Sequence, residues 1–359
     1  MSCYTFSKGP ALIETPTGIP RPGPYYTCLV TMDSIDAFPF DYALYFSPDH
    51  DPNDGGIWLY VCNGDPTDPS NYLSYEDAVA AGHFDHLDTR PTANPIYLDN
   101  TQGAGHTETP HANVVDGRVH LTYHKNGLEG TQRTLLALSD DGVSFSRVNG
   151  DDDSIVLTYD SASGPGDGHT GYFRWSTNPY PDISQKYVGY SLHGGSDNYH
   201  SAIWASDDAI SWERLDILNP IEGFAVEDEN MILIWHEIDP SSIRPLGNDE
   251  FVCVTGVGNR ASGGAARIVE LYEIFLGGDG RTVTRQSRKI LPVGSANELD
   301  SEELSSPTSV IIDGETHLIY VGATKEGTVN TILSAKGNLN VDDLPAPLPA
   351  SERRRHIHV

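Results

Sequence analysis

The chain has no apolar run long enough to cross a bilayer and no CxxC pair among its four cysteines. The first absence sets aside a membrane-spanning helix. The second, with Cys3, Cys28, Cys62 and Cys253 widely spaced, sets aside zinc-ribbon and dithiol redox chemistry; Cys62 and Cys253 fall in apolar strands as small core residues. Positive charge is also scarce: 22 Lys and Arg stand against 51 Asp and Glu, a formal net charge of −29. Such a surface repels nucleic acid and anionic membranes, so neither is expected as a partner, and it suits solubility or a salty environment. Residues 1–24 hold no apolar stretch of signal-peptide length, so a cytoplasmic protein is the expectation. Long amphipathic helix patterns are missing too, with 72–81 the best short candidate.

What is present is turn chemistry. The 359 residues include 35 Gly and 24 Pro, and apolar strand patterns recur between Gly, Asp, Asn and Pro clusters. Asp116-Gly117 and Asp313-Gly314 each separate two alternating runs, the strongest short-range hairpin signal. Ser139-Asp-Asp-Gly-Val-Ser-Phe145 returns as Ser206-Asp-Asp-Ala-Ile-Ser-Trp212, which marks a repeat. Five groups of strands follow one another, so the predicted fold is all-β: a single-domain, five-bladed β-propeller over 25–340, with an N-terminal extension at 1–24 and a tail at 341–359. The first strand of each blade would line a central channel.

The unit His106-Thr-Glu-Thr-Pro-His111, then Val115-Asp-Gly-Arg-Val-His-Leu-Thr-Tyr-His124 and the Ser-Asp-Asp-Gly ending, resembles the five-bladed propeller glycoside hydrolases. This is the arabinanase, β-xylosidase and fructosidase group, similar to glycoside hydrolase family 43, and the chain is nearest to its uncharacterised relatives. The resemblance implies a carbohydrate substrate. It also implies an Asp on the inner strand of blade one, an Asp on blade two and a Glu on blade three. The sequence departs from that pattern. Blade three reads Gly168-His-Thr-Gly-Tyr-Phe-Arg174, without a carboxylate.

Candidate site residues follow from the channel mouth, where inner strands begin and second strands end. Glycoside hydrolysis needs two carboxyl groups flanking the scissile bond. Glu108 and Glu237 are the expected acid/base pair and Asp49 an assistant, with Asp33 or Asp36 as alternatives for the blade-one carboxylate. His50, His111, His124, Tyr172, Arg174 and His193 are the expected sugar contacts, and Trp175 a stacking candidate. His106, His169 and His236 stand at the heads of three blades and would hold one divalent metal ion at the channel centre, since imidazole is the commonest side-chain ligand of transition metals. Two other readings stay open. A polysaccharide lyase would use His and Tyr172 for proton abstraction, with Arg174 and Lys125 neutralising a uronate; a non-catalytic sugar-binding propeller would use the same face without chemistry. An exo-acting hydrolase would follow if the connection 65–100 closed the cleft.

Overall fold

The computed structural model describes residues 3–13, 23–48, 55–99, 107–128, 131–148, 156–157, 169–195, 198–218, 221–222, 231–261, 268–295, 298–324 and 330–348. The chain is all-β, a single-domain five-bladed propeller. It opens with β1 (Tyr4–Ile13). Blade one is then β2 (Tyr25–Thr31), β3 (Tyr42–Ser47), β4 (Trp58–Cys62) and β5 (Tyr72–Ser74). Blade two is β6 (Thr107–Val115), β7 (Arg118–Leu128), β8 (Thr131–Ser139) and β9 (Ser146–Arg147). Blade three is β10 (His169–Thr177), β11 (Tyr187–Gly195), β12 (Asn198–Ser206) and β13 (Glu213–Leu218), and a single parallel pair, His169 with Gln132, joins it to blade two. Blade four holds β14 (Ile221–Glu222), β15 (Met231–Ile238), β16 (Arg244–Gly247), β17 (Glu250–Ala261), β18 (Ile268–Gly277) and β19 (Arg288–Leu291). Blade five is β20 (Glu303–Ile312), β21 (Glu315–Ala323) and β22 (Asn330–Leu339), completed by β1 on its outer edge.

The segment set apart at 1–24 thus contributes a strand. β1 pairs antiparallel with β22 from Tyr4–Leu339 onward, and its start is pinned to blade four, where the buried Glu273 carboxylate accepts from the backbone N–H of Cys3 (3.1 Å) and of Tyr4 (3.0 Å). Both ends of the chain therefore serve the ring. In the tail, Pro347 bridges Arg285 and Leu348 donates to Thr284 O.

Packing follows strand alternation. Between blades one and two, Val30, Ala43, Tyr45, Leu59, Ala112, Leu121 and Leu135 form one apolar cluster. Trp175, offered as a sugar-stacking residue, is 1 % exposed and packs edge-on against Trp212 at 5.5 Å. Residues 72–81 do form a helix, α1 (Tyr75–Ala80), capped by Ser74 Oγ accepting from Asp77 N–H. Its Tyr75 and the following Phe84 pack onto Phe38 and Phe40, beyond the end of β2, while the far end of the connection 65–99 returns to the start of β6, where Asp99 N–H donates to Thr107 Oγ1 at 3.1 Å.

The repeated Ser-Asp-Asp endings have a physical role. Asp141 Oδ1 accepts from Val143 and Ser144 N–H, and Asp208 Oδ1 accepts from Ile210 and Ser211 N–H, so each carboxylate closes the turn after a third strand. Asp65 and Asp279 do the same in blades one and four, with no Ser-Asp-Asp motif to announce them.

Candidate active site

Every inner strand breaks register at one height. The breaks fall between Tyr25 and Cys28, Glu108 and His111, Gly171 and Arg174, Ile234 and Glu237, and Ser305 and Thr308. Within four of them a non-glycine residue adopts the left-handed conformation: Tyr26 (φ 55), Thr109 (φ 50), Tyr172 (φ 55) and Ser306 (φ 53). Such backbone costs about 1–3 kcal/mol per residue and concentrates where a side chain must be re-aimed. Three of the four, Tyr26, Thr109 and Tyr172, line a small axial cavity, and the fourth, Ser306, presents its backbone N–H to Glu237.

Aligning the bulges sorts the expected residues. Glu108 stands before its bulge, opposite His124 on β7, and Glu237 stands after its own, opposite Gly256 on β17. His124 Nδ1 lies 3.2 Å from Glu108 Oε1, and both side chains are fully buried. Glu237, 2 % exposed, accepts a 2.9 Å hydrogen bond from Ser306 N–H of blade five. A methyl group at Gly256 would overlap the Glu237 carboxylate, so only glycine leaves room for it. Tyr26, Thr109, Tyr172, Arg174 and Glu237 line one small cavity on the axis. The Tyr26 hydroxyl donates to the Tyr172 hydroxyl (3.3 Å), and the Tyr172 ring lies 5.5 Å from the His124 ring. Glu108, His124, Tyr172 and Glu237 thus belong to one continuous cluster spanning blades two to four. The sequence also offers Ser306 at the channel mouth, as blade five's contribution, but Tyr26 and Gly256 were missed; their only signal is the spacing of the bulges, which needs the structure to be seen.

Other expected residues face elsewhere. His111, after its bulge, is buried at the seam of blades two and three, where Nε2 meets Trp175 O at 2.7 Å and Nδ1 faces Cys28 Sγ at 3.6 Å. Burial, helped by the Arg174 charge, holds its pKa down at about 3, which suits a neutral packing residue. Arg174 Nη1 donates to Pro307 O across the channel. Lys125 points away from the axis to Asp99, donating to its carbonyl at 2.7 Å and lying 3.1 Å from its carboxylate. His193 is opposite Thr170, one residue out of step with His124, so the two project from opposite faces of their blades. Asp33 and Asp36 lie past the end of β2, whose sequence Tyr25-Tyr-Thr-Cys-Leu-Val-Thr31 carries no carboxylate. Asp49, His50 and His106 lie outside the described residues, as do the side chains of His169 and His236. Strand register nonetheless separates His236, two places after its pre-bulge residue Ile234, from His169, two places before Gly171. Among the described residues no group of three or more His, Cys, Asp or Glu side chains is placed to hold a metal ion.

One carboxyl that sequence reasoning passed over is Asp239, fully buried where β15 ends. Ser309 Oγ donates to its Oδ2 at 2.5 Å and Ser241 N–H to its Oδ1 at 3.1 Å. Burial pushes its pKa from 3.8 up to about 6, against the pull of Ser309 and Arg174. The folded protein therefore holds this proton more tightly than the unfolded chain, and stability falls as pH rises from about 4 to about 6, by roughly 3 kcal/mol in all. Denaturant titrations of the wild-type protein and Asp239→Asn across that window check the sign. The difference between the two must change with pH; a constant difference removes the buried proton.

No protein-family model matches the chain, and no curated protein matches it in sequence. Solved structures do match. The likeness is one of fold. An N-acetylgalactosamine deacetylase from F. plautii, crystallised with blood group B trisaccharide, superposes with a TM-score of 0.61 at 12 % identity, covering 96 % of this chain and 100 % of that one. A putative glycoside hydrolase from Parabacteroides distasonis gives 0.53 at 16 %, covering 90 % and 96 %. A structure described with the GH130 family of mannoside phosphorylases, which contains glycoside hydrolases that target β-1,2 mannosidic linkages in Candida mannan, gives 0.53 at 14 %, covering 96 % and 97 %.

Proposed function

We propose that the protein is a carbohydrate-active enzyme that hydrolyses glycosidic bonds of an oligo- or polysaccharide at the mouth of the channel where the inner strands begin. The observation that carries this reading is the pair of buried carboxyls, Glu108 and Glu237, built into inner-strand bulges of blades two and four with Tyr172 of blade three between them. Glycoside hydrolysis needs two carboxyls on either side of the scissile bond, and these two come from different blades of one cluster. Their surroundings differ in a useful way. Glu237 accepts from a backbone N–H, which suits an ionised carboxylate acting as base or nucleophile. Glu108 Oε1 lies 3.2 Å from Nδ1 of the His124 imidazole, which suits the donor to the leaving oxygen. Tyr26 and Tyr172 supply phenol hydroxyls and ring edges for a sugar.

The relatives in fold support a sugar as substrate, since the proteins they name act on glycans or are called glycoside hydrolases. The lyase alternative is weaker. It asks for Arg174 and Lys125 beside a uronate; Arg174 lines the cavity while donating to Pro307 O, but Lys125 is turned to Asp99. Should a divalent ion take part, His106 and His169 are the pair to hold it, because His106 precedes Glu108 by the same two residues that separate His169 from Gly171. Asp49 and His50 stay as candidate contributors from blade one.

The deciding experiment is product analysis on a panel of neutral and uronate-bearing glycans, with metal content measured on the same protein. New reducing ends without ultraviolet absorption support hydrolysis. An absorbing unsaturated uronate selects the lyase reading, released acetate selects the deacetylation named for the F. plautii protein, and binding without any product selects the non-catalytic one.

A further inference from the structure

The channel has a second mouth, where the inner strands end, and it is separate from the site above. Between the two lies the buried Arg174, which donates to Pro307 O across the channel, and the axial cavity beside Glu237 measures only about 10 Å³. At the far mouth opens a cleft of about 620 Å³, formed by the ends of β2, β6 and β20 and the turn after β15. That volume falls within the range of small-molecule sites.

Its lining has the two characters a sugar needs. Val30 and Ile311 offer an apolar floor and rim, Ile311 being 40 % exposed. Tyr42, Asn113, Ser241 and Asp33 supply hydroxyl, amide and carboxylate groups around it. Asn113 donates its Nδ2 to Trp175 O, which leaves the Oδ1 acceptor for the cleft. Behind Ser309, which also lines the cleft, sits the Asp239 carboxyl. The described lining holds no Lys or Arg, and its one ionisable acid, Asp33, is exposed. An anionic ligand would meet the Asp33 carboxylate and no cation among the described lining; a neutral polyhydroxylated one would meet donors and acceptors over a partly apolar wall.

We propose that this far-mouth cleft is a second, non-catalytic binding site for a neutral oligosaccharide. It does not depend on the reaction at the first mouth, and a glycan chain held at both would gain from effective concentration.

The test uses the full chain carrying Glu237→Gln, so that no probe is consumed, with cellobiose and xylobiose as neutral probes and digalacturonate as the anionic control. Crystals soaked with each show where the sugar sits, and titration calorimetry gives its affinity. Expected is a neutral disaccharide against Asn113 and Tyr42, binding in the millimolar range, with digalacturonate absent. Ile311→Arg, at an exposed position that tolerates charge, weakens binding at this cleft about tenfold or more while circular dichroism stays unchanged. An empty far cleft, density without solution affinity, or affinity untouched by Ile311→Arg each overturns the proposal. If Tyr42→Phe weakens it as well, the hydroxyl contact is supported independently. Failure of the hydrolase reading changes none of these outcomes, because none requires turnover.

Discussion

Replacing Glu237 with Gln is expected to lower kcat by roughly 10²–10⁴-fold while KM changes little, the range a lost acid/base group produces. The substitution keeps the shape over Gly256, and the Gln carbonyl still accepts from Ser306 N–H, so the fold and the cavity wall survive. Only the negative charge goes. Glu108→Gln makes a different change. It removes the carboxyl beside His124 Nδ1, so kcat should fall by a comparable factor, roughly 10²–10⁴-fold, most strongly on substrates with a poor leaving group that needs protonation. Initial rates on the substrate found by product analysis, and on analogues with good and poor leaving groups, separate the two variants. Full activity in both would end the carboxylate mechanism, and full activity in one would identify the partner that is structural. Gly256→Ala adds an independent check, since a methyl there pushes the Glu237 carboxylate aside without altering any ionisable group.

The propeller was legible because its signals are local. Asp-Gly turns, alternating strands and a repeated ending are properties of short segments, and the structure returns each as a hairpin or a side-chain-capped turn. Asp33 and Asp36 were offered for a blade-one carboxylate that the inner strand, Tyr25–Thr31, does not carry, and closure by β1 was missed because partner strands more than 300 residues apart leave no local trace. The histidine pattern shows the limit most clearly. A histidine near a strand end is visible in sequence; its face is not, because one residue of register reverses it. His124 and His193 look equivalent and differ by that one residue, while a bulge, which adds a residue to one strand only, sends Glu108 inward and His111 into a seam. Lys125 was taken for a channel cation on the same grounds, and the step from His124 turns it to the opposite side.

That reversal makes Asp99 the position whose loss should destabilise the protein most. Lys125 is 0 % exposed, and Asp99 meets its ammonium through both the carboxylate at 3.1 Å and the main-chain carbonyl at 2.7 Å. The Tyr123 hydroxyl donates to the same carboxylate at 2.7 Å, and Arg147 Nε lies 3.6 Å from it. Asp99→Ala leaves two cations near a cavity with their shared anion gone, and removing one partner of a buried pair costs about 3–5 kcal/mol. Replacing the whole pair is milder: Asp99→Leu with Lys125→Met exchanges charge for apolar packing of similar size, and should recover most of that loss. Urea denaturation of the two single variants and the double variant measures the coupling. The effect should reach the site as well. Asp99 N–H is tied to Thr107 Oγ1 at 3.1 Å, and Thr107 pairs with Lys125 one step from Glu108 and His124, so the network fixes the start of β6 from which the acid is aimed. Asp99→Ala should therefore lower activity even where the protein is still folded, and the Leu/Met double variant should restore stability more completely than rate. Equal recovery of both would mean that packing alone, without the ion pair, sets the position of Glu108.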